Sequence, residues 1–161
     1  MFTSIRKFLI KTGQPPGTLE YIGDHENIKL SCSLISYNEQ EVDERESLNI
    51  EEVATLLDDS MVNWIQVSGL NDSEQIARLG ADFDLHNMLL EDILNTEHLP
   101  KIEQFGEYLF VIMKFLYYDE QGHEIKKEHV CFILGENQLI SLSERPLSLF
   151  DIVKERLKKG L

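Results

Sequence analysis

The stretch Tyr108-Leu109-Phe110-Val111-Ile112-Met113-Lys114-Phe115-Leu116-Tyr117-Tyr118 carries a single charge, on Lys114. A run this apolar predicts an interior strand covered on both faces, because at an edge it would be left to water. Working outward, Glu124 to Leu134 and Gln138 to Ser143 read as two more strands. The connections at 119–123 and 135–137 are short, which predicts an antiparallel meander. Upstream, Val62 to Val67 contains Trp64 and reads as a buried strand that Gly69 ends.

The remaining segments are set by punctuation and by helical spacing. Residues 1–17 form an N-terminal lead-in closed by Gly13-Gln14-Pro15-Pro16-Gly17, a turn-forming stretch. Thr18 to Ile22 and Ile28 to Ser36 are expected as two strands of a hairpin, and Glu39 to Glu46 as a charged, solvated connection. Asn49 with Glu52 three positions on predicts a capped helix carrying Ile50, Val53 and Leu57. Asn71 or Asp72 caps the next helix, with Ile76, Leu79 and Phe83 on one face; another runs from Leu85 to Asn95, and Pro100 closes that region. Ser148 is expected to cap a last helix carrying Phe150, Val153 and Leu157, with Glu155 and Lys159 spaced as an i,i+4 pair. The order β-β-α-β-α-α-β-β-β-α predicts an α/β fold: one mixed parallel/antiparallel sheet with helices on both faces, in a single domain over 18–161. The final residues read as the start of a longer helix, so a fragment of a longer protein is expected.

Composition narrows the chemistry. The chain has 161 residues and a formal net charge of −14, which opposes nucleic acid and anionic membranes as partners. That charge favours cations, although acidity for solubility alone gives the same number. Cys32 and Cys131 lie far apart without a CxxC pairing, which suits a reducing compartment. There is no apolar run near the roughly 18 residues of a membrane span. No phosphate loop, GxSxG or HExxH occurs, so nothing marks an enzyme. Three constellations remain. Asp82, Asp84 and His86 alternate like ligands on an extended segment, or Asp84 is a helix cap. Glu91 and Asp92, with Asn95 a turn further on, offer a small hard-oxygen face suited to Mg²⁺, or a solvated polar face. The five histidines, His25, His86, His98, His123 and His129, are not paired at ligand spacing.

Several segments, taken in order, resemble the CorA family of divalent-cation transporters. Gly13-Gln14-Pro15-Pro16-Gly17-Thr18 resembles its GxPPGT motif, and Asn63-Trp64-Ile65-Gln66-Val67-Ser68-Gly69-Leu70 its WIxVxGL strand. Leu85-His86 through Leu90-Glu91-Asp92-Ile93-Leu94-Asn95 resembles its LHxLxLEDILN helix, and Pro100-Lys101-Ile102-Glu103 its RPKxE turn, with Leu99 where Arg is usual. Phe150-Asp151-Ile152-Val153-Lys154-Glu155-Arg156 resembles the FDxVxER segment before the stalk helix. The resemblance implies a cytosolic regulatory domain of an inner-membrane Mg²⁺/Co²⁺ transporter that assembles as a homopentamer. It also implies regulatory Mg²⁺ held between neighbouring subunits, with Asp92 on one side, Glu91 beside it, and the opposing ligand on the adjacent subunit's stalk. On this reading Asp92 is expected to be solvent-exposed in the isolated chain and to bind Mg²⁺ weakly. A ZntB-like Zn²⁺ transporter domain and a stand-alone interaction domain of the same fold remain alternatives.

Overall fold

The computed structural model describes residues 15–25, 27–120 and 122–160. Most of the expected lead-in, residues 1–14, lies outside the described residues, as does Leu161. The elements run β1 (Ser31–Tyr37), β2 (Val42–Leu48), α1 (Ile50–Val53, continued by a 3-10 turn at Ala54–Leu56), β3 (Val62–Ser68), α2 (Ser73–Asp82), α3 (Asn87–Leu94), β4 (Lys101–Phe105), β5 (Tyr108–Asp119), β6 (Glu124–Leu134), β7 (Gln138–Ser143), a 3-10 turn at Ser148–Phe150, and α4 (Asp151–Lys158).

The seven strands form one sheet in the order β2-β1-β3-β7-β6-β5-β4. The β3–β7 pair is parallel and the other pairs are antiparallel, so the sheet is mixed as expected. The meander β5-β6-β7 stands as read. Its two-residue periodicity sorts the side chains: Ile65, Val67, Phe110, Ile112, Cys131, Ile133, Ile140 and Leu142 face one way and are buried with Ile76, Leu79, Leu89 and Ile93 of α2 and α3. The opposite face is covered at its centre by the Phe150 ring, which meets Trp64 edge-on at 5.4 Å and Phe132 at 5.9 Å. Trp64 is buried, as expected, and its indole Nε1 donates to Ser141 Oγ at 3.0 Å.

Three expectations are corrected, and one strand is added. Thr18 to Ile22 is not a strand: Ile22 makes one isolated bridge to Asn95 while Leu19 and Tyr21 pack on the core. Residues 42–48 are not a solvated connection but the edge strand β2, and it is β2, not 18–22, that forms the hairpin with β1. Residues 101–105, unassigned from the sequence, form the opposite edge strand β4. Finally, β5 is interior but penultimate, and Met113, Leu116 and Tyr118 are exposed, so it is not covered on both faces.

Candidate metal-binding face

Asp92 sits in the last turn of α3, and local chemistry fixes where that helix lies. His86 is its N-cap, with Nδ1 accepting from Met88 N at 3.2 Å. Asp84 is not the cap expected; it takes the left-handed turn between α2 and α3, at φ 51°. Gly80 lets the two helices close, because a Cβ there would fall 2.3 Å from Leu90 Cδ1. Leu89, Leu90, Ile93 and Leu94 are buried, which turns Glu91 and Asp92 toward the rim of the sheet.

At that rim, Glu20, Glu91 and Asp92 line a cleft of about 280 Å³ together with Pro16, Thr18 and Met88. Glu91 Oε2 accepts from Gly17 N at 2.7 Å, which ties the PPGT turn to the helix. Asp92 does not stand free. Its side chain is 19 % exposed, Oδ2 accepts from Lys101 Nζ at 2.7 Å, and Oδ1 lies 3.3 Å from His98 Nε2. The expectation of a solvent-exposed Asp92 is therefore corrected: strand β4 carries a lysine to it. Lys101 also donates to Glu103 Oε2 at 2.6 Å. Burial opposes its charge, but the hydrogen bonds to Asp92 and Glu103 outweigh that and hold its pKa above the ordinary lysine value.

Sequence reasoning singled out Asp92 and Glu91, weighed His98 only among the unpaired histidines, and did not place Lys101 and Glu103 at the site. The signal of these two was present in the Pro100-Lys101-Ile102-Glu103 segment. Because β4 was not read as a strand, the register that places Lys101 opposite Ile112, on the helix-covered face, was invisible. The other constellation disperses. Asp82 pairs with Arg78 at 3.3 Å and His86 caps α3, so no ligand set forms there. Among the described residues no group of three or more His, Cys, Asp or Glu side chains is placed to hold a metal. What this face offers a cation is one part of a coordination sphere: hard carboxylate oxygens, which suit Mg²⁺ because it takes one or two carboxylates and keeps several waters.

Beneath the same helix lies a buried polar network. His129 Nε2 donates to Ile93 O at 3.1 Å, so its Nδ1 accepts from Lys114 Nζ at 2.8 Å; the same ammonium donates to Thr96 O. Burial, with the Lys114 ammonium beside it, pushes the His129 imidazole down to about 3. Burial likewise pushes the Cys131 thiol up, so it behaves as an inert core residue.

An acidic α/β domain with a carboxylate cleft at the end of one helix is the class that fold and site define. The family model for the CorA-like Mg²⁺ transporter protein matches residues 59–161, more than half of the chain, and the chain belongs to that family. It is 33 % identical over 153 residues to the cobalt/magnesium transport protein CorA of Thermotoga maritima, a match covering 95 % of this chain and 43 % of that protein. The full-length CmaX protein shares the fold with a TM-score of 0.65 at 18 % identity, over 86 % of this chain and 41 % of that one. So does the soluble domain of CorA from Methanocaldococcus jannaschii, with a TM-score of 0.53 at 12 % identity, over 83 % of this chain and 47 % of that one. The chain thus spans less than half the length of these relatives. Among the described residues no helix is long and apolar enough to cross a membrane.

Proposed function

We propose that this chain is the cytosolic regulatory domain of a CorA-type Mg²⁺/Co²⁺ transporter, without enzymatic activity, and that its Asp92 senses cytosolic Mg²⁺. In the full-length homopentamer Asp92 gives one carboxylate to a cation held between neighbouring subunits, with Glu91 beside it, and the adjacent subunit gives the opposing ligand. The observation that carries this reading is the placement of Asp92, Glu91 and Glu20 around one rim cleft in a chain of this family. The arrangement supports a shared site, since one chain supplies only part of a coordination sphere.

The mechanism follows from charge. Subunits this acidic repel one another across their contacts, and a divalent cation between carboxylates offsets that repulsion. Bound cation therefore favours the assembled, closed state by mass action, and falling cytosolic Mg²⁺ releases it. The zinc-transporter reading has one observation in its favour: His98 beside Asp92 adds the nitrogen donor that Zn²⁺ accepts more readily than Mg²⁺ does.

The test is Mg²⁺ protection of the full-length protein against protease. Asp92→Ala is expected to raise the Mg²⁺ concentration for half-protection about tenfold, and Glu91→Ala/Asp92→Ala to raise it further. Wild-type Mg²⁺ protection in the double variant would overturn the reading. Protection by micromolar Zn²⁺, lost in His98→Ala while Mg²⁺ protection is retained, would replace it with the zinc reading.

A further inference from the structure

We infer that the Lys101 ammonium is the resident counter-ion of Asp92, and that a divalent cation reaches this carboxylate by displacing Lys101 onto Glu103. The inference rests on the reading of Asp92 as a metal ligand and adds what sets its threshold.

The geometry is that of an occupied cation position. Nζ lies 2.7 Å from Asp92 Oδ2 and 2.6 Å from Glu103 Oε2, so it bridges two carboxylates brought together from α3 and β4. The Phe110 and Phe105 rings lie 5.5 and 6.0 Å from the same nitrogen, which adds an attraction for a cation there. An ammonium and a divalent ion cannot share one carboxylate oxygen without strong mutual repulsion at contact distance. One must leave, and the surroundings provide for it. Lys101 is 24 % exposed and Glu103 is 47 % exposed, so a swing of the flexible lysine stem keeps one ion pair at the water's edge and frees Asp92. Glu103 thus acts as a parking partner. Lys101 is a specificity-setting residue: it makes Asp92 respond to cations strong or concentrated enough to evict an internal competitor.

The experiment titrates Mn²⁺, a paramagnetic hard cation, into this chain and follows the broadening of the backbone amide signals of residues 91–95. Wild type, Lys101→Met and Asp92→Asn/Lys101→Met are compared at 0.1 M and 1 M NaCl. Thermal melts check folding, and Lys101→Gln stands in should the methionine variant not fold. Removing the competitor is expected to lower the Mn²⁺ concentration for half-broadening by threefold or more. The gain should persist at 1 M salt, where charges beyond about 3 Å are screened, and vanish in the double variant. A gain below threefold, one lost at high salt, or one that survives Asp92→Asn would overturn the inference. The reading beneath it fails separately. Full-length Asp92 variants with unchanged Mg²⁺ protection would sink the regulatory assignment even if Lys101→Met behaves as expected. A flat Lys101→Met result with Asp92-dependent protection would sink the competitor alone.

Discussion

Two ion pairs join elements on opposite faces of this sheet, and they differ in what is left behind when one partner moves. On the helix-covered face, Asp92 and Lys101 are 19 % and 24 % exposed, and Glu103 waits as a second acceptor. On the other face, Glu128 of β6 is only 5 % exposed in its side chain and pairs with Arg145, which is 36 % exposed. Glu128 Oε1 also accepts from Tyr117 at 3.1 Å, the Arg145 guanidinium lies over the Tyr117 ring, and Oε2 is buried without a hydrogen-bond partner among the described residues. The first pair has water and an alternative partner on hand, so exchange costs little. The second has one end that cannot reach water, so separating it strands a buried charge. Burial of the carboxylate separates the two pairs.

The sharpest way to break the comparison is to remove Arg145. Arg145→Met leaves Glu128 buried and unpaired, and is expected to cost about 3–5 kcal/mol in urea melts. The converse change is asymmetric: Glu128→Gln leaves an arginine that can turn to solvent, and is expected to cost about half as much. Equal losses would mean that burial is not what separates the two partners. Trp64→Ala sets the scale for that face, with about 3–5 kcal/mol expected from emptying the space against the Phe150 ring.

The network beneath α3 supplies the intermediate effect, and its sign can be worked out. His129 is held neutral in the fold, with its pKa down at about 3, against about 6.5 for an unfolded histidine. As pH falls below 6.5 the unfolded chain takes up a proton that the folded chain refuses until about pH 3. Stability from this group is therefore complete above pH 6.5 and is lost between 6.5 and 3, with a slope of up to about 1.4 kcal/mol per pH unit. In His129→Gln, which keeps a donor for Ile93 O and an acceptor for Lys114, that slope should be missing, so the wild-type-minus-variant difference between urea-melt series taken from pH 4 to 7 should carry it. An unchanged slope would mean that His129 is protonated inside the fold.

How much of this was legible follows the same rule of burial. The run at 108–118 announced an interior strand because both neighbours and one face keep it from water. The edge strands announced nothing. Val42-Asp43-Glu44-Arg45-Glu46-Ser47-Leu48 has four charges because no residue of β2 is fully buried and only Leu48 packs on the core, so no apolar alternation appears and the segment reads as a linker. The five residues of β4 fail because the run is short and the inward position of Lys101 carries a charge. Thr18 to Ile22 failed in the opposite direction: Leu19, Tyr21 and Ile22 are apolar because they pack on the core, with a single bridge in place of a ladder. At the site, the helical spacing of Glu91 and Asp92 was readable along the chain. The partners of Asp92 were not, since Lys101 and Glu103 reach it through the register of a strand that left no pattern.

The smallest expected effect bears most directly on whether Asp92 is free to exchange. If Lys101 is a displaceable counter-ion, its pairing with Asp92 holds little of the fold together. Both side chains keep contact with water, so whichever partner remains is hydrated instead of stranded, and Glu103 can take the ammonium. Pairs of this kind contribute about 0–1 kcal/mol. Asp92→Asn and Lys101→Met should each change the stability of the chain by no more than about 1 kcal/mol, and the double-mutant cycle between them should give a coupling of similar or smaller size. Urea melts of the four chains measure this directly. A coupling above about 2 kcal/mol would place Asp92–Lys101 with Glu128–Arg145 as a pair the fold needs. A cation would then have to overcome that stabilisation to reach Asp92, and displacement at ordinary Mg²⁺ concentrations would be ruled out.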